Sequence, residues 1–252
     1  MGVVKDTVEY REKNNISRND FMDILIKLKN EENVDEKLGK LTLNEIAAQA
    51  FVFFLAGFET SSTTLTFCLY ELALNPEIQK KTRQIIHETL KNHDGKFTYE
   101  AMMDMQYVDH VLQETMRKYP PVANLNRLAK DDYKIPDSDF VIEKGTSILI
   151  PAFAIQHDEK YYPNPEKFDP NRFSSEEVTK RDSMTWLPFG EGPRNCIGLR
   201  FGMMQARIGL VCLLNSFEFG VCDKTSVPLV LTPGSFILSP DGGLYLKVKP
   251  IK

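Results

Sequence analysis

Residues Phe189-Gly190-Glu191-Gly192-Pro193-Arg194-Asn195-Cys196-Ile197-Gly198 set a single cysteine in a glycine-rich loop that runs into an apolar stretch of helical texture, Leu199 to Phe219. Cys196 is thereby expected at a helix N-terminus, where free N–H groups and the positive dipole end stabilise a thiolate. Gly190, Gly192 and Gly198 suit positive φ or a close backbone approach to something flat. Phe189 can pack a ring beside that partner, and Arg194 can pair with a carboxylate in fork geometry. Taken alone, a lone cysteine beside a turn is a buried, inert thiol. The spaced pattern F-x-x-G-x-R-x-C-x-G argues otherwise. With no second Cys or His nearby, the thiolate suits a haem iron, whose equatorial ligands come from the porphyrin.

Three further groups could do chemistry. In Ala56-Gly57-Phe58-Glu59-Thr60-Ser61 an acid and a hydroxyl follow an apolar run, and Gly57 weakens the helix by about 1 kcal/mol. The plain alternative is a helix that surfaces at Glu59, with a threonine bonding back to its own backbone. Val52, Ala56 and Thr60 are spaced i, i+4, i+8 and share one face. In Glu114-Thr115-Met116-Arg117 an acid and an arginine stand at i, i+3, which by itself describes a surface pair. Arg127, within Asn124-Leu125-Asn126-Arg127, would alone pass for a surface arginine; with Arg194 it makes two cations for two carboxylates.

The cysteine stretch resembles the haem-binding loop of the cytochrome P-450 family. The other motifs follow in that family's order, from about Arg18 to Val248. The resemblance implies a mainly α fold with small β-sheets, iron protoporphyrin IX (heme b) as cofactor, and Cys196 as metal ligand. Ala56 and Gly57 would line the oxygen-binding segment, where a local opening of the helix makes room for dioxygen. Thr60 would hydrogen-bond the dioxygen and Glu59 relay protons through water. Phe189, Gly190, Ile197 and Gly198 would flank the haem, and Arg127 and Arg194 would bind its propionates. Glu114 and Arg117 match the family's E-x-x-R motif, whose partner, the arginine of P-x-R-F, is Arg172 in Pro170-Asn171-Arg172-Phe173. Asn171 stands where the family often has Glu; the arginine is kept. Val52, Ala56, Val122, Leu125, Phe236 and Ile237 would contact substrate.

What the resemblance implies as activity is a monooxygenase that inserts one atom of dioxygen into an apolar small molecule. Electrons would come from NADPH through a flavoprotein, NADPH-cytochrome P-450 reductase, docked near Cys196. The wording of Leu43 to Ser62 and Tyr161 to Phe173 resembles microsomal insect enzymes that oxidise foreign compounds, placing the protein at the cytosolic face of the endoplasmic reticulum membrane. A haem-thiolate isomerase or dehydratase acting on a peroxide is one rival, which the Glu59-Thr60 pair argues against. A non-enzymatic haem carrier is another. Members of the family are about twice as long as these 252 residues, so the chain is expected to be the C-terminal portion of one catalytic domain, lacking the N-terminal half and its membrane anchor.

The elements that must position these groups follow from periodicity and punctuation. Val3 to Asn14 reads as a polar helix and Asp20 to Lys29 as an amphipathic one; residues 30–40 are charged and loop-like. Thr42-Leu43-Asn44-Glu45 is a capping box opening a long helix to Asn75-Pro76, where Asn75 can cap the next. That next helix runs to about Asn92. A further one runs from about Tyr99 to Tyr119, with Met105, Val108, Leu112 and Met116 on one face. Short strands are expected at Tyr133 to Ile135, Phe140 to Ile142 and Thr146 to Ile150, and a strand and hairpin over Val227 to Val248 with a turn at Asp241-Gly242.

The formal net charge of −4 gives no basic balance for nucleic acid. Cys68, Cys196, Cys212 and Cys222 show no disulfide-like spacing, and Cys68 and Cys212 read as core thiols. His87, His93, His110 and His157 are scattered without zinc-like spacing. The apolar run Ile46 to Phe58 is shorter than the roughly 18 residues a membrane span needs. Extended to Tyr70 it would place Glu59 in lipid, at about 3 kcal/mol. A helix buried on every side in the whole domain is the expectation, and without the neighbours of the missing half it is expected to expose an apolar patch in this chain.

Overall fold

The computed structural model describes residues 2–30 and 40–251, so the charged run 31–39 lies outside the described residues. The chain divides into two compact units, Met1–Glu59 and Thr60–Lys252.

The first unit holds α1 (Gly2–Asn14), α2 (Phe21–Asn30) and the first part of α3 (Leu43–Leu74). Val8, Leu25 and Ile46 are its buried centre, and Phe21 stacks on Phe53 with centroids 3.9 Å apart. The capping box is present: the Thr42 N–H donates to Glu45 Oε2 at 2.8 Å and the Glu45 N–H to Thr42 Oγ1 at 3.2 Å.

A polar knot ties α1 to α2. Asp23 accepts from the Ser17 hydroxyl (2.7 Å), from the N–H groups of Arg18 and Asn19 (2.6 and 2.8 Å) and from Arg11 Nη1 (2.7 Å). Arg11 also forks onto Asp20. The Ser17 hydroxyl, the two N–H groups and Arg11 hold the Asp23 carboxyl well below the usual carboxylate range, and Arg11 does the same to Asp20. Folded-state values below the unfolded ones mean stability that is present above the unfolded carboxylate range, about pH 4, and is lost as pH falls through the folded values. Amide-exchange protection of residues 4–25 is therefore expected to hold from pH 7 to 5 and to fall below about pH 4. Asp23→Asn should lower it at pH 7 and flatten its acid dependence. Protection that stayed constant from pH 5 to 3 would contradict this account.

The second unit begins within α3 and continues through α4 (Pro76–Asn92), α5 (Tyr99–Asp104) and α6 (Gln106–Lys118). Three small antiparallel sheets and short helices follow. β1 (Leu125–Leu128) pairs β4 (Ser147–Ile150) with Arg127 opposite Ile148, and β2 (Tyr133–Lys134) pairs β3 (Val141–Ile142). After α7 (Ala152–Gln156) the chain runs through a 3₁₀ turn, Pro170–Phe173, and α8 (Ser175–Val178) to the cysteine loop and α9 (Leu199–Ser216). β5 (Phe217–Gly220) then pairs β6 (Lys247–Pro250). Cys68 and Leu72 from α3, Ile86 and Leu90 from α4, Val108 and Leu112 from α6, and Leu210 and Leu214 from α9 form one core. The architecture is mainly α with small β-sheets, as expected.

Several expectations are corrected. The helix from Tyr99 breaks at Met105, whose ψ of 55° leaves the helical region. Asn75 does not cap α4; its side chain donates back to Glu71 O at 2.8 Å. Of Val227 to Val248 only Lys247 and Val248 are strand, in β6; residues 227–246 form a loop with one antiparallel bridge, Leu231 to Pro240, where Pro228, Pro233 and Pro240 cannot donate to a ladder. α9 stops at Ser216, and Phe217 to Phe219 are strand. Cys68 is a core thiol, pushed up to about 12 by burial, but Cys212 is exposed, because Leu210, Val211 and Leu214 turn the opposite face of α9 inward. The long helix does carry the exposed apolar patch expected of this chain. Ile46 is enclosed, while Phe51, Phe54 and Phe58 are 61%, 72% and 60% exposed, because α1 and α2 cover one stripe of it only. By length and composition α3 could cross a bilayer, yet its second half, with Phe67, Cys68 and Leu72, is protein core.

Candidate active site

The cysteine loop is closed by its own backbone. The Cys196 N–H donates to Phe189 O at 2.8 Å, the Gly190 N–H to Leu187 O at 3.0 Å, and Gly192–Arg194 form a 3₁₀ turn. Gly190 and Gly192 have φ of 68° and 79°, where a side chain would be strained. Gly190 lies beside β1: a Cβ there would be in ordinary contact with Leu125 and Arg127, at 3.9 and 3.8 Å. Gly198 differs from expectation: its φ is −89°, and it caps α9 without a left-handed backbone. A Cβ there would lie 3.9 Å from Cys196 Sγ. Cys196 thus stands three residues before the first helical residue, Leu199.

Cys196 opens into a cavity of about 250 Å³. On the cysteine side lie Phe189, Gly190 and Arg194, with Gly202, Met203 and Ala206 of α9. Thr60, Ser61 and Thr64 of α3 form another wall; Val122, Leu125 and Arg127 form a third. Ile197 is 88% exposed and lines none of it.

One thiol, two guanidinium groups and an otherwise largely apolar surround make up this cavity. Arg127 donates only to the neighbouring carbonyl of Asn126, and among the described residues neither it nor Arg194 pairs with a carboxylate. Among the described residues no cluster of His, Cys, Asp or Glu could hold a metal on protein ligands alone. The donor set fits haem: one cysteine sulfur that could ligate the iron and two cations for two propionates.

The loop hangs from a buried polar network. Arg117 forks onto Glu114, Nε to Oε2 at 2.7 Å and Nη2 to Oε1 at 3.0 Å, with both side chains fully buried. Arg117 also donates to the carbonyls of Gln156 and Pro165. Glu114 Oε1 accepts from the Asp169 N–H at 2.9 Å. Arg172 Nε approaches Glu114 Oε1 at 3.5 Å as an ion-pair contact without a hydrogen bond, while its Nη2 donates to Pro163 and Asn164 carbonyls. The three residues of this motif are therefore together, as the sequence implied.

Some residues of this network carried no sequence signal. Gln156, fully buried, donates to the carbonyls of Met116 and Arg117 and accepts from the Leu187 N–H at 2.7 Å, just before the cysteine loop. Trp186 Nε1 donates to Gln113 O at 3.2 Å. Ser61 and Thr64 extend the hydroxyl wall beyond Thr60. Only the i, i+4 spacing of Thr60 and Thr64 could have pointed to one of these.

Of the expected substrate contacts, Val122 and Leu125 line the cavity. Phe236 is 76% exposed, and neither it nor Ile237 reaches the cavity wall; their neighbour Leu238 packs on Phe67 and Tyr119 instead. Val52, Ala56, Gly57 and Glu59 belong to the first unit. The helix is unbroken through residues 56–60, so the expected local opening is not present. A single glycine weakens a helix of this length without interrupting it.

A family model described as Cytochrome P450 matches residues 2–248. Cytochrome P450 6a8 of Drosophila melanogaster is 54% identical over 99% of this chain and 50% of its own length. Probable cytochrome P450 6a14 of the same species is 52% identical over 100% of this chain and 51% of its own. Cytochrome P450 6A1 of Musca domestica is 49% identical over 100% and 50%. The chain spans about half the length of the curated relatives it matches. With the matched loop presenting Cys196 to a cavity that also holds Arg127 and Arg194, the chain belongs to the cytochrome P450 family.

Proposed function

We propose that the protein is a haem-thiolate monooxygenase, in which an apolar substrate, dioxygen, NADPH and a proton yield the hydroxylated product, water and NADP⁺. Electrons pass from NADPH through a flavoprotein reductase at the endoplasmic reticulum membrane. The observation that carries this reading is the meeting of Cys196, Arg127, Arg194 and Thr60 on one cavity. When bound, haem supplies dioxygen activation, and a thiolate ligand favours O–O cleavage.

The chain's own residues divide the remaining work. Cys196 Sγ would hold the metal, and Arg127 and Arg194 would neutralise the propionates. Phe189 and Gly190 border the same side of the cavity as Cys196 and would pack against the bound haem. Val122 and Leu125 offer apolar contact to substrate. Thr60 Oγ1 hydrogen-bonds dioxygen and hands on the proton that the Glu59 carboxylate resupplies through water. Reconstitution with a reductase, NADPH and isotopically labelled dioxygen tests the activity. It is run on this chain, and on the same chain joined to the half of a relative that has no counterpart here. Label is expected in the product; turnover of a hydroperoxide without NADPH, and no label, would overturn the reading.

Thr60→Ala separates proton delivery from binding. Haem content and substrate affinity should stay near the parent's, while product formed per NADPH falls on the order of ten-fold or more and hydrogen peroxide rises. Equal product per NADPH in variant and parent would remove Thr60 from the mechanism.

A further inference from the structure

We infer that Asp109 and Arg207, a pair outside the cavity, position the cysteine loop by fixing α9 against α6. The inference rests on the haem-thiolate reading and adds positioning residues to it. Arg207 is 6% exposed. Its Nε donates to Asp109 Oδ1 at 2.7 Å, its Nη2 to Oδ2 at 2.5 Å, and its Nη1 meets Met103 Sδ at 3.1 Å. Among the described residues this is the only ion pair that α9 makes.

The reason such a pair matters lies in what else holds α9. Leu210, Val211 and Leu214 bury it by apolar packing, which is non-directional, and Arg83 Nε of α4 donates to Leu214 O at 3.1 Å near its C-terminal end, far from the cysteine loop. A two-bond fork is directional and adds geometric specificity. Arg207 is adjacent to Ala206, which lines the cavity with Gly202 and Met203. A rotation of α9 would sweep those three across the cavity wall and pull Cys196 along through the short link Ile197-Gly198. Gly209 lies so near α3 that a Cβ there would come within 2.9 Å of Leu65 Cδ1, so α9 has little room on that side.

α6 thereby grips the loop at both flanks. Before the loop, Trp186 donates to Gln113 O of α6; after it, Arg207 reaches Asp109 of α6. One rigid helix sets the separation of the two ends between which Cys196 is suspended.

The test uses the full chain with haem and without it. Three quantities are read: haem dissociation, the share of the reduced carbon monoxide adduct showing the red-shifted thiolate band, and amide exchange of residues 196–203 in the haem-free chain. Arg207→Met is expected to lose haem about ten-fold faster, the size of effect seen when partners outside the ligand shell are removed. It should also shift the adduct away from the thiolate band and speed exchange at 196–203. Arg207→Lys, which keeps charge without the fork, should fall between. Should Arg207→Met fail to fold, the paired variant Asp109→Leu with Arg207→Met keeps the question open to measurement, because apolar replacement of both partners restores packing without charge. It is expected to regain thermal stability but not the thiolate share. If it or Arg207→Met keeps the parent's haem dissociation, thiolate share and exchange, and only melting temperature moves, the pair is structural and the inference is wrong. A parent with no thiolate band would overturn the haem-thiolate reading, and the haem-free exchange comparison would still decide what the pair positions.

Discussion

Cys196→Ala is expected to abolish the red-shifted Soret band of the reduced carbon monoxide adduct, while Cys68→Ala, Cys212→Ala and Cys222→Ala leave it in place. The contrast is geometric. Only Cys196 among the four thiols borders the cavity that holds Arg127 and Arg194. Cys68 is sealed in the core, where burial keeps it a neutral thiol. Cys222 is the sharper control, because the Thr225 hydroxyl and the N–H groups of Lys224 and Thr225 pull its thiol below the ordinary range. Position, and not acidity, nominates Cys196. A band that survived in Cys196→Ala, or vanished in Cys222→Ala, would mean that the wrong loop has been assigned.

Arg117→Ala is expected to cost about 3–5 kcal/mol in a denaturant titration, the range for removing one partner of a buried ion pair. Arg117 is fully buried and satisfies the Glu114 carboxylate together with the carbonyls of Gln156 and Pro165. Its loss leaves Glu114 without its main donor, in surroundings where burial already pushes the carboxyl upward. The remaining partners, the Asp169 N–H and the 3.5 Å contact from Arg172, do not replace a two-bond fork. Because Gln156 links this pair to the Leu187 N–H, the same variant should also lower haem retention through the loop above Leu187. Glu114→Gln, which keeps an acceptor for Asp169, should cost less than Arg117→Ala. A loss under about 1 kcal/mol for Arg117→Ala would show that water or Arg172 can substitute, as at exposed pairs.

Local chemistry determined much of this protein in advance. The spacing from Phe189 to Gly198 is a contiguous pattern, and its requirements are met within ten residues: two glycines at positive φ and a backbone bond from Cys196 to Phe189. The capping box at Thr42, the start of α4 at Pro76 and the stripe Met105, Val108, Leu112 and Met116 are equally local, set by side chains reaching three or four residues along the chain. The pairing of Glu114 with Arg117 is of the same kind. Its full burial is not, since only the packing of residues 156–172 against α6 excludes water from it.

Tertiary structure alone decided the rest. Asp109 and Arg207 are too far apart in sequence for any periodicity to join them, and Gln156 sits in an apolar stretch that gives no sign of its four hydrogen bonds. Arg127 and Arg194 reach one cavity because β1, in register with β4, runs beside the cysteine loop. Val227 to Val248 has the residue types of strands, but its prolines remove the donors a ladder needs, and only the pairing of β5 with β6 shows where the sheet lies. Which faces of the helix from Ile46 to Phe58 are open, those of Phe51, Phe54 and Phe58, was also left to packing: hydrophobic residue types record what a helix can bury, and burial itself depends on which neighbours are packed against it.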